Sequence, residues 1–404
     1  MSKLVSTTLA LGLLAGTATA HAEDTVRFWY HFDNADNPMS ELVAKFEAEN
    51  PGIKVEAENV PWNSYYDNLY TAIVAGNAPD AAMVKMFAQP RLVEMGALEP
   101  IGSQIDAWDG KADLQENLLE LTKASDGNNY YLPVQYVVLY LYYRADMLQE
   151  LGLEPPKTCD EFRTAAIKLT RDTNGDGQPD VYGFGFRGGK GGHDHWGSFV
   201  LSRGANFEAG SLTSEAGVAG TQWVVDLFQK DKVFPPSAPN DGFKEVTGAF
   251  KAGKTAMTIH HIGSSNGMVE ALGDKVSATP VPECGGGYWT AFGDESTAVF
   301  STAENKDAAW KWISFLSSAG NNMEFNKATG QLPVTKTDSA NWTLHEKRFV
   351  DATVQSLPFA RLLPNKPETS DFVNTVWPVN MQRALTGEIS AEQMNAEINK
   401  LYNP

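Results

Sequence analysis

The sequence has 404 residues, 42% of them hydrophobic and 20% charged, with 50 acidic against 32 basic side chains and a formal net charge of −18. A chain this long exceeds the roughly 250–300 residues at which one core stops growing, so two domains are expected, and its apolar and aromatic content excludes intrinsic disorder. The acidic balance excludes nucleic acid as a partner and disfavours an anionic membrane surface, because both need clustered Lys and Arg.

In chain order, Met1 to Ala22 comes first: Lys3, an apolar stretch from Leu9 to Ala18, then Ala20-His21-Ala22 in the small-x-small pattern. This is the pattern of a secretory signal peptide, too short in its apolar part to span a bilayer, and it predicts export to the periplasm. Its removal takes away Lys3 and leaves 31 basic against 50 acidic residues, a net charge of −19. No cysteine lies near the cleavage point, so no lipid anchor is expected, and no later stretch reaches 18 consecutive apolar residues.

Thr25 to Phe32 (TVRFWYHF) alternates β-branched and aromatic residues as a strand does. Asn37-Pro38 then opens a helix carrying Leu42, Val43 and Phe46, which Asn50-Pro51-Gly52 stops. A strand at Ile53 to Ala57, a helix around Ser64 to Ala75 and a strand around Ala81 to Met86 follow. Further on, Asp160 to Arg171 reads as helix, Tyr182 to Phe186 as extended, Gly217 to Gln229 as helix and Thr255 to His260 as extended. An apolar stripe at Ala309, Trp310, Ile313 and Leu316 places Trp310 and Trp312 in a core, and two helices, Asp371 to Leu385 and Ala391 to Leu401, close the chain. Alternating strands and helices define an α/β fold with a parallel sheet covered on both faces. No flexible linker separates the halves, which suggests that the chain crosses between two lobes several times.

Four constellations carry chemistry. Asp172, Asn174, Asp176, Gln178 and Asp180 lie in a loop whose first positions resemble a Ca²⁺ site with its turning glycine, but position twelve is Gly183 where a bidentate Glu is required; a hydrogen-bonded turn is the alternative. His193-Asp194-His195 and His260-His261 attract a metal or catalytic reading, although neighbours in a strand point to opposite faces, and the GGKGG run before the first cluster lacks the Lys-Ser/Thr ending of a phosphate loop. No serine sits in a Gly-x-Ser-x-Gly elbow, and neither Cys159 nor Cys284 has a nucleophile's setting; whether those two pair depends on a Cα separation the sequence does not fix. Aromatics form the fourth group: Trp29, Tyr30, His31 and Phe32 end a parallel strand, where open α/β sheets bind ligands, and six tyrosines crowd Tyr130 to Tyr143. Flat rings beside amides and carboxylates suit a sugar, with core packing the alternative for about half of the tyrosines.

The opening TVRFWYHF with ELVAKFEAENPGIKV, the following AGNAPDAAMV and MGALEPI, the run YYLPVQYVVLYLYYRADML, then FKAGKTAMTIHHIG, AFGDESTAVFSTAENKDAAWKWISFLSS and ALTGEISAEQMNAEINKLY together resemble the extracellular solute-binding proteins of carbohydrate ABC importers. The resemblance spans nearly the whole mature chain. It implies two discontinuous lobes, 23–134 plus 291–328 and 135–290 plus 329–404, with hinge crossings near Pro133 to Val138, Tyr288 to Asp294 and Thr329 to Pro333. Matched by position, it places His31, Phe32, Asp33, Tyr66, Lys85 and Met86 on one cleft wall and Gln135 and Tyr136 at the hinge. His193, Asp194, Trp196, His260 and His261 fall on the other wall, with Gly293 and Asp294 at the second crossing. The family usually has Trp where Cys159 stands, and that departure beside Cys284 favours a disulfide within one lobe. The implied function is capture of a mono- or oligosaccharide by lobe closure and delivery to membrane permease subunits, by a monomer without catalytic residues or an obligatory cofactor. A phosphorylated polyol, for which Lys85 and Arg361 are the available cations, or another small polar solute such as a cationic molecule is the alternative ligand, and a secreted polysaccharide-degrading enzyme the alternative class.

Overall fold

A computed structural model describes residues 24–32 and 38–404, so the signal segment and Asp33 lie outside the described residues. Strand β1 (Asp24–Tyr30) pairs in parallel along its length with β2 (Ile53–Asn59), from Asp24 opposite Ile53 to Tyr30 opposite Asn59. On its other side β1 meets β3 (Ala81–Val84) in parallel. All four β3 residues are buried, and they separate by period two: Ala81 and Met83 join a core with Phe28, Phe46 and Trp312, while Ala82 and Val84 join one with Tyr65, Tyr66 and Leu69. The sheet therefore has a core on each face, as sequential strand and helix alternation requires.

The long strand β4 (Tyr131–Arg144, 14 residues) connects this half to the other. The strands that follow are β5 (Met257–His261), β6 (Val276–Thr279), β7 (Thr290–Val299) and β8 (Ala360–Arg361). Residues Tyr131 to Val138 of β4 pair antiparallel with β7, and Leu139 to Arg144 pair with β5 and β6. The sheet order is β2-β1-β3-β7-β4-β5, with β6 beside β4 and β8 beside β7. In the second half β4 again splits by period two: Leu139 and Leu141 enter a core with Phe162, Phe184 and Trp196, and Tyr140 and Tyr142 one with Phe250 and Phe349.

Two features mark the crossing itself. The β4 register shifts between Pro133 and Gln135, where proline has no N–H to donate. The carbonyls there are instead held by side chains: Ser317 Oγ donates to Pro133 O (2.8 Å), and the amides of Asn322 and Asn326 donate to Val134 O (2.7 and 3.0 Å). Beside β4, Tyr136 and Leu332 exchange backbone hydrogen bonds, and β8 lies against Thr290 and Ala291. The β8 contact is one that the sequence patterns do not anticipate.

Two expected elements differ. Tyr182 to Phe186 makes only isolated bridges, Tyr182 with Thr255 and Gly185 with Thr258, and Gly183 within it passes so close to Ala166 that a Cβ would fall 2.0 Å from its carbonyl oxygen. The expected helix Asp371 to Leu385 is divided into Glu368–Asp371, a π-helical turn Phe372–Val376, and Trp377–Leu385, the last with proline in its first turn. Of the crowded tyrosines, Tyr131, Tyr140 and Tyr142 are fully buried. Cys159 and Cys284 form a disulfide with Cα atoms 5.0 Å apart across 125 residues of sequence.

Candidate functional site

A cleft of about 740 Å³ opens where the strands of both halves end. The first wall is built from residues just beyond strand termini. His31 and Phe32 follow β1, Lys85 and Met86 follow β3, and Trp62 begins the helix Trp62–Val74. The end of β1 is fixed by the Asn59 side chain, whose Oδ1 accepts from Phe32 N–H (3.1 Å) and whose Nδ2 donates to Phe32 O (3.2 Å). Glu295 projects into the same space from the middle of β7, opposite Gln135 on β4.

Glu295 is 7% exposed, and its carboxylate is bracketed: Lys85 Nζ pairs with Oε1, and His31 Nε2 stands 3.3 Å from Oε2. Burial pushes this carboxyl up, but the Lys85 ammonium and the His31 ring outweigh burial and hold it below the usual range, so it is ionised at neutral pH. Lys85 also lies over the Trp62 ring, 5.3 Å from its centroid, and His31 packs edge-on against Tyr65.

The second wall is made of imidazoles. His193 opens the helix His193–Val200, and His260 and His261 end β5. His260 and His261 were expected on opposite faces, yet both line the cleft with ring centroids 4.5 Å apart. The chain turns into the Ile262–Ser264 3₁₀ segment directly after His261, so the strand's alternation ends there. Phe243 packs edge-on to His260, whose Nδ1 contacts Ser264 Oγ at 2.8 Å. His195 accepts from Arg187 N–H at Nδ1 (3.2 Å), fixing the backbone of another cleft residue. Burial pushes every one of these rings down, His195 and His261 to about 3, so all are neutral and each offers one donor and one acceptor nitrogen.

Of the residues singled out from sequence, His31, Phe32, Lys85, Met86, Gln135, Tyr136, His193, Asp194, His260, His261 and Gly293 line the cleft. Three do not. Trp196 is fully buried with its indole N–H donated to Thr221 Oγ1 (3.0 Å), because position four of its helix faces the core. Trp29 shares its strand face with His31 but lies two residues back along β1, packed against the Tyr65 and Leu69 core behind the wall. Tyr66 is 2% exposed behind the wall, where its hydroxyl accepts from Lys85 N–H (2.9 Å) and so positions Lys85 instead of touching the cleft. Asp294 pairs through its backbone with Tyr136 on β4. Sequence reasoning missed Glu295, Trp62, Phe243, Arg187 and Gln331; for Glu295 the available signal was an acid within the otherwise strand-like TAFGDESTAV.

The loop considered for Ca²⁺ is occupied with its own backbone. Asp172 accepts from Gly175 and Gly177 N–H (2.6 and 2.8 Å), Asn174 from Asp176, Asp176 from Gln178, and Asp180 from Thr173. These bonds, first those from the backbone N–H groups, hold the Asp172 carboxyl below its usual range. Among the described residues no group of three or more His, Cys, Asp or Glu side chains is arranged to hold a metal ion, and no helix is long and apolar enough to cross a membrane.

Comparison with known proteins agrees with this architecture. A putative binding protein of Brucella abortus is 28% identical over 366 residues, covering 88% of this chain and 87% of the relative. An ABC transporter solute-binding protein from Thermotoga lettingae, solved with α-D-tagatose, superposes with a TM-score of 0.83 at 24% identity over 94% of this chain and all of the other. A maltotriose-binding protein of Thermus thermophilus, solved with maltotriose, gives 0.76 at 25% identity over 93% and 99% of the two chains. The fold is that of the type II periplasmic binding proteins, and residues 33–323 match the bacterial extracellular solute-binding protein family, to which this chain belongs.

Proposed function

We propose that this protein is the periplasmic substrate-binding component of an ABC importer for a sugar or sugar alcohol, exported by its signal peptide and acting as a monomer that delivers ligand to membrane permease subunits. The observation that carries the reading is the cleft of about 740 Å³ whose two walls present hydrogen-bonding groups of different chemistry, with Trp62, Phe243 and Tyr136 supplying ring faces. Hydroxyl groups need paired donors and acceptors, and the C–H faces of a sugar pack on such rings. Relatives solved with tagatose and maltotriose support the ligand class.

Binding, not catalysis, is the activity proposed. Glu295, the buried carboxylate of the cleft, is held ionised, whereas a general acid for glycoside cleavage needs its carboxyl raised. Closure of the walls on a ligand that touches both excludes water and strengthens the polar contacts. A micromolar dissociation constant, about 8 kcal/mol, would hold a nutrient firmly enough to scavenge it and loosely enough to release it. A thermal-shift screen of mature protein against sugars, sugar alcohols and their phosphates, followed by calorimetry and X-ray scattering, tests this: a neutral sugar or sugar alcohol raises the melting temperature and reduces the radius of gyration. Stabilisation by none of them, or consumption of an oligosaccharide at catalytic protein levels, overturns it.

A further inference from the structure

Several polar atoms of the cleft are buried without a hydrogen-bond partner among the described residues: Glu295 Oε2 and His31 Nε2 on the first wall, His193 Nδ1 and His261 Nδ1 on the second, and Gln331 Oε1 beside the hinge. His31 and Glu295 are within ion-pair distance but not aligned as a hydrogen bond, which leaves Oε2 without a donor on a residue that lines the cleft. Buried polar atoms left unsatisfied are costly, so a set of them around one cavity describes what the occupant must supply. Carboxylate and amide oxygens only accept, and a neutral imidazole both accepts and donates, so the demand is mainly for donors.

Resting on the sugar-binding reading, we propose that Glu295 is the specificity-determining residue of the cleft: its unfilled oxygen accepts from hydroxyls of a neutral sugar or sugar alcohol and excludes the carboxylate- or phosphate-bearing counterparts of the same skeleton. A second anion against Glu295 Oε2 would meet a buried like charge whose own counter-ion, Lys85, is already engaged at Oε1. Arg187 and Arg361 also line the cleft, yet Arg361 Nη1 is given to the carbonyls of Pro358 and Ala360. The surroundings keep the carboxylate charged despite its burial, so the repulsion operates throughout the neutral range.

Glu295→Gln separates the two effects. It keeps the shape, loses the charge and leaves Lys85 without its partner. Calorimetry would use matched probes: D-glucose with D-glucuronate, D-galactose with D-galacturonate, and D-mannitol with D-mannitol 1-phosphate. The native protein should bind a neutral member and not its acidic counterpart. Glu295→Gln should weaken the neutral member by roughly 10- to 100-fold, the worth of a charge-assisted hydrogen bond, and gain the acidic one at least tenfold. Glu295→Asp, which keeps the negative charge beside Lys85, should retain the rejection of the acid, and it decides the matter if Glu295→Gln does not fold. Equal binding of both members by the native protein, no gain of the acid in folded Glu295→Gln, or a gain of it in Glu295→Asp overturns the proposal while leaving sugar binding standing. Binding of neither member of any pair overturns the sugar-binding reading together with it.

Discussion

The two walls of the cleft solve the problem of buried polarity in opposite ways. On the first, Lys85 and Glu295 are charged and paired, braced by His31 and by the Tyr66 hydroxyl behind Lys85. On the second, His193, His260 and His261 are buried as neutral rings with no requirement for a counter-ion. A charged pair has fixed geometry and a strong preference about the charge of its neighbour, whereas neutral imidazoles can donate or accept and tolerate different hydroxyl patterns. The difference assigns discrimination to the first wall and adaptable hydrogen bonding to the second.

The largest effect should come from breaking the pair from its cationic side. Lys85→Ala leaves Glu295 as a buried unpaired carboxylate, and removing one partner of such a pair costs about 3–5 kcal/mol, with the low end expected because Lys85 itself is 24% exposed. Urea unfolding of this variant against Asp194→Asn, whose carboxylate on the opposite wall contacts a neutral ring at 3.3 Å, tests the asymmetry: similar small losses in both would remove the distinction between the walls. Next in size is the disulfide, which lies on the histidine side, where Cys159 is part of the Phe162 and Trp196 core and Cys284 packs against it. Opening it should lower stability by about 2–4 kcal/mol and leave ligand affinity unchanged, because no bond between the walls is cut. A large loss of affinity in Cys159→Ser/Cys284→Ser protein that remains folded would mean that the second wall is held through the first.

How much of this was legible in the sequence differs between the walls for a physical reason. Strand ends are readable, since β-branched runs stop where the chain turns, and so His31 and Phe32 were found from local pattern, while Lys85 and Met86 were found by position through the family resemblance. The depth at which a residue sits is less readable. Trp29 and Trp196 lie near true cleft residues on the same faces, Trp29 two residues before His31 along β1 and Trp196 one turn after His193 along its helix, yet both are packed into cores. Glu295 was missed because its role depends on antiparallel pairing between β4 and β7, residues more than 150 apart in sequence, and no local period encodes that register. The β8 contact with β7 escaped for the same reason.

Acid should act first on the histidine wall. In the unfolded chain these rings protonate near 6.5, whereas burial holds His195 and His261 down to about 3 and His345, behind the wall, to about 4. Folded-state values below unfolded ones mean that the unfolded chain binds protons first. The stability they contribute is therefore complete above about pH 6.5 and is lost as pH falls toward 4 and 3, by about 1.4 kcal/mol per group for each unit inside that window. Melting temperature measured from pH 8 to 4.5 should show a plateau and then a decline, and His261→Gln should shallow the decline. A profile flat through pH 5 would contradict neutral burial of the rings.

The smallest effect belongs to the contact that joins the walls at their rim, and it explains the glycine-rich run that is not a phosphate loop. Gly188 and Gly192 pass so near other backbone that a Cβ would lie 2.3 Å from Ala238 O and 1.6 Å from Arg187 O, and Gly191 has φ of +84°. Those constraints hold a tight tongue whose tip, Lys190, reaches the opposite wall, donating to Asn63 O (3.1 Å) and Asp67 Oδ2 (3.0 Å) on the helix that begins at Trp62. Asp67 is mostly solvated, so the pair contributes no more than about 1 kcal/mol, but it exists only when the walls are together and therefore favours the closed form alone. Lys190→Ala should weaken binding by less than about fivefold, the equivalent of that energy, chiefly through faster release, and the effect should fade as salt is raised. Stopped-flow measurement of release at two ionic strengths checks this, and a release rate equal to the native one at low salt would show that the rim contact does not report closure.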